Sequence, residues 1–96
     1  MGPCIVCPET ISDPQNLSLN LTVNGEVHQD ANTAMQIFPV AAVIEFISSF
    51  VTLEPGDIIS TGTAAGVGHA KGVHLKADDQ VEASIEGIGA LKNTMV

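Results

Sequence analysis

The segment Thr61-Gly62-Thr63-Ala64-Ala65-Gly66-Val67-Gly68 is the most suggestive of chemistry in the chain. Its three glycines let backbone N–H groups come close to a bound anion. It is not a Walker loop, because no Gly-Lys-Ser/Thr closes it. It is not a dinucleotide fingerprint either, because its glycines fall at 62, 66 and 68. A ligand loop and a structural turn both fit this composition.

The other reactive side chains are scattered. His69 and His74 stand five apart with Lys71 between them, and exposed loop histidines are the simpler reading than a metal pair. His28 lies on a hairpin and reads as a surface residue. Glu82 and Glu86 share the polar face of a strand with Ser84, about 13 Å apart at about 3.3 Å per residue, too far for a shared metal or an acid–base pair. Asp78 and Asp79 read as solvent-facing turn acids. Cys4 and Cys7 have C-x-x-C spacing, but zinc needs four ligands and there is no second cysteine pair. If Pro3 to Cys7 is a buried strand, residues three apart point to opposite faces. The expectation is two buried structural thiols in a reducing, cytoplasmic compartment.

Charge excludes several classes of function. Eleven acidic residues against three lysines and no arginine leave a net charge of −8. Such a chain repels phosphate backbones and anionic lipids, so neither nucleic acid nor membrane is an expected partner. Without arginine, a carboxylate ligand must be held by a metal, backbone amides or lysine. The longest apolar stretch, Val40 to Val51, is interrupted by Glu45, Ser48 and Ser49 and is too short to span a bilayer. No secretory signal is visible.

These residues sit on a small set of elements. The chain has 96 residues, 45% hydrophobic and 15% charged, which suits one packed domain over 1–96. Leu17 to Val23 alternates apolar and polar residues, Asn24-Gly25 follows, and Glu26 to Gln29 returns. That predicts a hairpin with a type I′ turn, with Leu17, Leu19, Leu21 and Val23 facing a core. Asp30 to Phe38 reads as irregular. Pro39 opens an amphipathic helix of about three turns, with Val40, Val43, Ile44, Ile47, Phe50 and Val51 at helical spacing. Ile58-Ile59-Ser60 reads as a short buried strand. Leu75-Lys76-Ala77-Asp78-Asp79 echoes Leu53-Glu54-Pro55-Gly56-Asp57, as though one kind of lead-in turn were used twice. Val81 to Ile85, a turn at Gly87-Ile88-Gly89, and Ala90 to Val96 make a closing hairpin. The prediction is a β-rich α+β fold with five or six strands, mostly joined by hairpins, and one main helix.

Seven stretches, taken in order, resemble the C-terminal part of the fumarylacetoacetate hydrolase family. They are Gly2-Pro3-x-Ile5-Val6, Asp13-Pro14-Gln15-Asn16-Leu17, Val23-Asn24-Gly25-Glu26-Val27, Gln29-Asp30-x-Asn32-Thr33, Thr52-Leu53-Glu54-Pro55-Gly56-Asp57, Thr61-Gly62-Thr63-x-x-Gly66-Val67-Gly68 and Glu86-Gly87-Ile88-Gly89-x-Leu91-x-Asn93-Thr94. The resemblance implies part of a mixed β-sandwich roll, an oligomer, and Mg²⁺- or Mn²⁺-dependent hydrolase, decarboxylase or isomerase chemistry on β-keto acids. It matches Thr61, with Gly62 and Thr63 as neighbours, to a substrate-contacting threonine loop. It also places Gln29, Asn32 and Thr33 near that site. Ala64 stands where the family usually has proline, and Ala31 where it often has glycine.

The family's acidic metal ligands, catalytic histidine and active-site lysine precede its Gly-Pro-x-Ile-Val stretch. The resemblance therefore implies a truncated relative that lacks the family's metal ligands and its catalytic histidine and lysine, is inactive alone, and has no cofactor in this chain alone, its catalytic residues being unknown. Such a piece would expose apolar surface and either self-associate or pair with an N-terminal half. Two alternatives stand beside this reading: an enzyme whose site is completed by oligomerisation or a partner, and an assembly or binding module.

Overall fold

The computed structural model describes residues 2–96, and the side chains of His69 and Lys71 lie outside that description. Four strands form one antiparallel sheet in the order β2-β1-β3-β4: β1 (Ser18–Val23), β2 (Glu26–Asn32), β3 (Gln80–Ile85) and β4 (Gly89–Thr94). A helix α1 (Val40–Ser48) and a single turn α2 (Gly68–Lys71) lie in the long connection between β2 and β3. The β-rich α+β class therefore holds. Among the described residues there are four strands, below the five or six expected, and they form one sheet layer.

The two hairpins follow from local chemistry. Asn24 and Gly25 both adopt positive φ, 50° and 82°, as a type I′ turn requires. Gly87, at φ 74°, turns β3 into β4. The registers Leu19↔Ile85, Leu21↔Ala83 and Ala83↔Leu91 align the apolar residues of three strands on one face. Asn20, Thr22, Glu82, Ser84 and Lys92 alternate onto the other face. There Lys92 pairs with Glu82 at 3.0 Å.

β2 continues to Asn32, through residues expected to be irregular. Its register shifts between Leu21↔Gln29 and Thr22↔Val27, which leaves His28 as the extra residue of a bulge. His28 is half-buried, unlike the surface residue expected.

Helix α1 turns Val40, Val43 and Ile47 inward at helical spacing, and each is half-buried. Pro39 is its N-cap, and the Val43 N–H donates to the Pro39 carbonyl. The helix is shorter than expected. The hydroxyls of Ser48 and Ser49 donate to the carbonyls of Glu45 and Phe46, competing with helical continuation. Beyond that point Phe50 packs edge-on against Phe46, with ring centroids 5.2 Å apart.

The expected pair of lead-in turns is present with matching hydrogen bonds. The Glu54 N–H donates to Asp57 Oδ2 at 2.9 Å, and the Lys76 N–H donates to Asp79 Oδ2 at 2.8 Å. The third residue of each turn, Gly56 or Asp78, has positive φ. Asp79 is thus half-buried and bonded rather than solvent-facing. Glu86 likewise leaves the strand face, and its carboxylate accepts from the Ser18 N–H at 3.2 Å.

Two expected strands are not formed. Pro3 to Cys7 is extended but unpaired, and Cys4 and Cys7 are exposed free thiols rather than buried ones. The segment lies along the β3–β4 turn, with Pro3 and Ile11 beside Gly89 and Gly87. Ile58 to Ser60 is also unpaired, and Ile58 is 71% exposed. A run of apolar residues becomes a strand only where another strand supplies its hydrogen-bonding partners, and among the described residues neither segment is paired to one.

The shape is open. The accessible surface is 7312 Å², against about 5,200 Å² for a compact chain of this mass. The radius of gyration is 15.2 Å, against about 12.5 Å for a compact domain of this length. No described residue is fully buried, and Ile5, Ile37, Phe38, Phe46 and Phe50 stand largely in solvent. Leu17, Leu19, Leu21 and Val23 are only half-buried, so the core they face is covered on one side.

Candidate functional site

The loop Thr61–Gly68 crosses the edge of β2 at the bulge. Gly66 has φ 106°, and a Cβ there would lie far inside van der Waals contact of the His28 carbonyl oxygen. Only glycine permits that approach. Beside it, the Gln29 side-chain amide donates to the carbonyl of Ala64 at 2.7 Å. Longer contacts of 3.3 Å run to the Ala65 carbonyl and Thr63 Oγ1. The far end of the loop differs. Gly62 has φ 99°, nothing lies within 4 Å of where its Cβ would be, and Thr61, Gly62 and Thr63 are all exposed. One end is therefore clamped to the sheet, while the other presents two hydroxyls and bare backbone to open space.

Of the residues matched by resemblance, Gln29 and Thr63 meet directly. Asn32 and Thr33 serve a second junction. The Asn32 amide donates to Asn16 Oδ1 at 3.1 Å, and its oxygen accepts from the Ala34 N–H at 2.8 Å. Thr33 Oγ1 accepts from the Leu17 N–H and donates to the Pro14 carbonyl, both at 2.8 Å. Gln15, given no role at the sequence level, completes this junction. Its amide donates to the Thr33 carbonyl at 2.9 Å and Gln36 Oε1 at 2.8 Å, while its oxygen accepts from the Val40 N–H at 2.9 Å. It thereby satisfies an orphan donor at the start of α1. Gln15 stands in the family-like stretch Asp13–Leu17, but its bonding is not legible there, because its partners lie 18 to 25 positions away.

An open concavity of about 790 Å³ lies on the polar sheet face, lined by Ser18, Asn20, Asp30, Ser84 and Glu86 and by the Gly87–Gly89 turn. It includes none of the loop residues. It is shallow and open to solvent, so the clamped loop is the better-built candidate. Among the described residues, no group of three His, Cys, Asp or Glu is placed to hold a metal. The donor set present therefore does not fit a Mg²⁺ or Mn²⁺ site by itself. His74 is exposed, while the His69 and Lys71 side chains lie outside the described residues. Among the described residues, no helix is long and apolar enough to cross a membrane.

The β-rich α+β layer that carries this loop is shared with proteins of known sequence and structure. The family profile described as "Fumarylacetoacetate (FAA) hydrolase C-terminal" matches residues 1–96, and the chain belongs to that family. It is 50% identical over 92 residues to an uncharacterised protein of Methanocaldococcus jannaschii, covering 94% of this chain and 37% of that protein. It is 44% identical over 98 residues to the mitochondrial oxaloacetate tautomerase Fahd2a of Rattus norvegicus, covering 100% of this chain and 31% of that one. Among solved structures, maleylpyruvate hydrolase from Sphingobium sp. SYK-6, in complex with manganese(II) and pyruvate, superposes with a TM-score of 0.85 at 33% identity. That match covers 99% of this chain and 34% of the hydrolase. The chain thus spans about a third of the length of the relatives it matches.

Proposed function

We infer that this chain supplies the substrate-contacting wall of a ketoacid site, with Thr61, Gly62 and Thr63 facing the ligand's oxygens. The observation that carries this is the loop itself: anchored to β2 through Gln29 and Gly66, and open at Gly62. Two hydroxyls and exposed backbone amides suit a keto or carboxylate oxygen in a chain that has no arginine. A relative of known structure holds manganese and pyruvate, which fits the same ligand class.

The chain alone is inactive in this reading. Its described residues lack a three-ligand metal cluster. Mg²⁺ or Mn²⁺ and the acid–base groups come from outside these 96 residues. The open shape supports the same view, since the surface exceeds that of a compact chain by roughly 2,000 Å². That is the scale of a permanent interface. Either the upstream part of a family domain or a second copy of the chain would cover it. Two exposed free thiols suit a reducing, cytoplasmic setting.

The test is cleavage and tautomerisation of oxaloacetate and acylpyruvates, with and without Mg²⁺ or Mn²⁺. The expected result is no turnover by the chain alone, and metal-dependent turnover when the upstream two-thirds of the Methanocaldococcus relative is co-expressed with it. Thr61→Ala should then lower that turnover. Metal-dependent turnover by the chain alone, abolished in Thr61→Ala, would overturn the inactive reading and favour a site shared between copies.

A further inference from the structure

We propose that Gln29 is a positioning residue that fixes the Thr61–Thr63 tip by holding the loop behind it. The inference rests on reading Thr61–Thr63 as the ligand contact. Its geometric basis is independent of that reading.

Among the described residues, every hydrogen bond joining residues 58 to 67 to the sheet comes from Gln29 Nε2. Neither Ile58-Ile59-Ser60 nor the loop has a backbone ladder partner. A connection of this length without internal bonds is mobile unless something outside it fixes it. The two hydrogens of this amide serve three acceptors, the Ala64 carbonyl at 2.7 Å and Thr63 Oγ1 and the Ala65 carbonyl at 3.3 Å. Because Thr63 Oγ1 accepts from Gln29, its own proton points elsewhere. The Thr63 hydroxyl is thus set as a donor, the polarity an anionic or carbonyl oxygen needs.

The bulge is what makes this possible. Gln29 pairs with Leu21, so its side chain leaves the apolar face of an edge strand. Gly66 packs against the carbonyl of His28, the bulge residue itself. Donor and glycine contact therefore act on adjacent β2 residues and clamp the loop at consecutive points.

The test uses ¹⁵N relaxation on the full chain, comparing Gln29→Met, Gln29→Glu and Gln29→Lys. Methionine keeps length without hydrogen bonding, glutamate presents an acceptor to acceptors, and lysine keeps a donor. Order parameters over residues 61–66 should fall from about 0.85 to below about 0.6 in the Met and Glu variants and recover in the Lys variant. In the reconstituted enzyme, Gln29→Met should raise KM roughly tenfold with kcat little changed, because the loop must be ordered on binding. Unchanged order parameters in Gln29→Met would overturn the proposal, as would equal loosening in all three variants. A mobile loop with unchanged KM would overturn the link to the ligand. If the unsubstituted enzyme shows no turnover on reconstitution, the ketoacid reading fails, while the relaxation data still decide the anchor.

Discussion

Gly66→Ala isolates the close approach of the loop to β2. The substitution adds two costs. A non-glycine residue at φ 106° costs about 1–2 kcal/mol. The new methyl also collides with the His28 carbonyl oxygen and comes within 3.1 Å of Gln29 Cγ. The backbone of β2 cannot yield, because it is paired along β1. The loop must lift instead, and the collision then costs no more than the hydrogen bonds that lifting breaks. Those are the Gln29 bonds to Ala64, Ala65 and Thr63, about 0.5–1.5 kcal/mol for each of the two amide hydrogens. Gly62→Ala is the control, with φ 99° but nothing within 4 Å of the added methyl. Urea unfolding followed by circular dichroism should place Gly66→Ala about 2 kcal/mol below Gly62→Ala. The His28 and Gln29 amide resonances should move in the first variant alone. Equal losses for the two variants, within about 0.5 kcal/mol, would refute the close packing of the loop on the bulge.

Other perturbations test the remaining junctions. Gln15→Ala leaves the Val40 N–H without a partner and removes one of the two bonds to the Thr33 carbonyl, and should lower stability by about 1–2 kcal/mol in urea unfolding. The Lys76 backbone N–H bond holds the Asp79 carboxyl below its ordinary value of 3.8, aided by the Asn24 amide and the Lys76 charge. That contribution is present in full above pH 3.8 and is lost as pH falls through the lower folded value. Asp79→Asn should therefore flatten the fall in thermal midpoint as pH drops below that point. Lys92→Ala removes an ion pair whose side chains are 72% and 42% exposed. It should change stability by less than about 0.5 kcal/mol, and less still in high salt.

Local chemistry in the sequence was enough for the elements whose partners are close by. Asn24-Gly25 between alternating runs implies its hairpin, and the apolar spacing from Val40 implies its helix. Glu54–Asp57 and Lys76–Asp79 repeat one turn because an acid at the fourth position caps the N–H of the first. Misreadings fell where partners are remote. Cys4-Ile5-Val6-Cys7 and Ile58-Ile59 have strand composition, yet composition does not supply the neighbouring strand that pairing requires. His28 looked like an ordinary hairpin residue because a bulge leaves no local residue signature when it is formed by register across two strands.

The candidate site divides in the same way. Thr61, Gly62 and Thr63 are legible as an unusual loop, and the family motif in which they sit is legible in residue order. Net charge, the absence of arginine and the hairpin turns are likewise fixed by residue identity, because they depend on one residue or on near neighbours. Tertiary structure decided that Gln29 donates to a loop 34 to 36 residues away, that Gly66 seats on a bulge, and that Gln15 caps α1. It also decided that the apolar face stays open, since burial depends on what packs against a surface and not on the residues that make it.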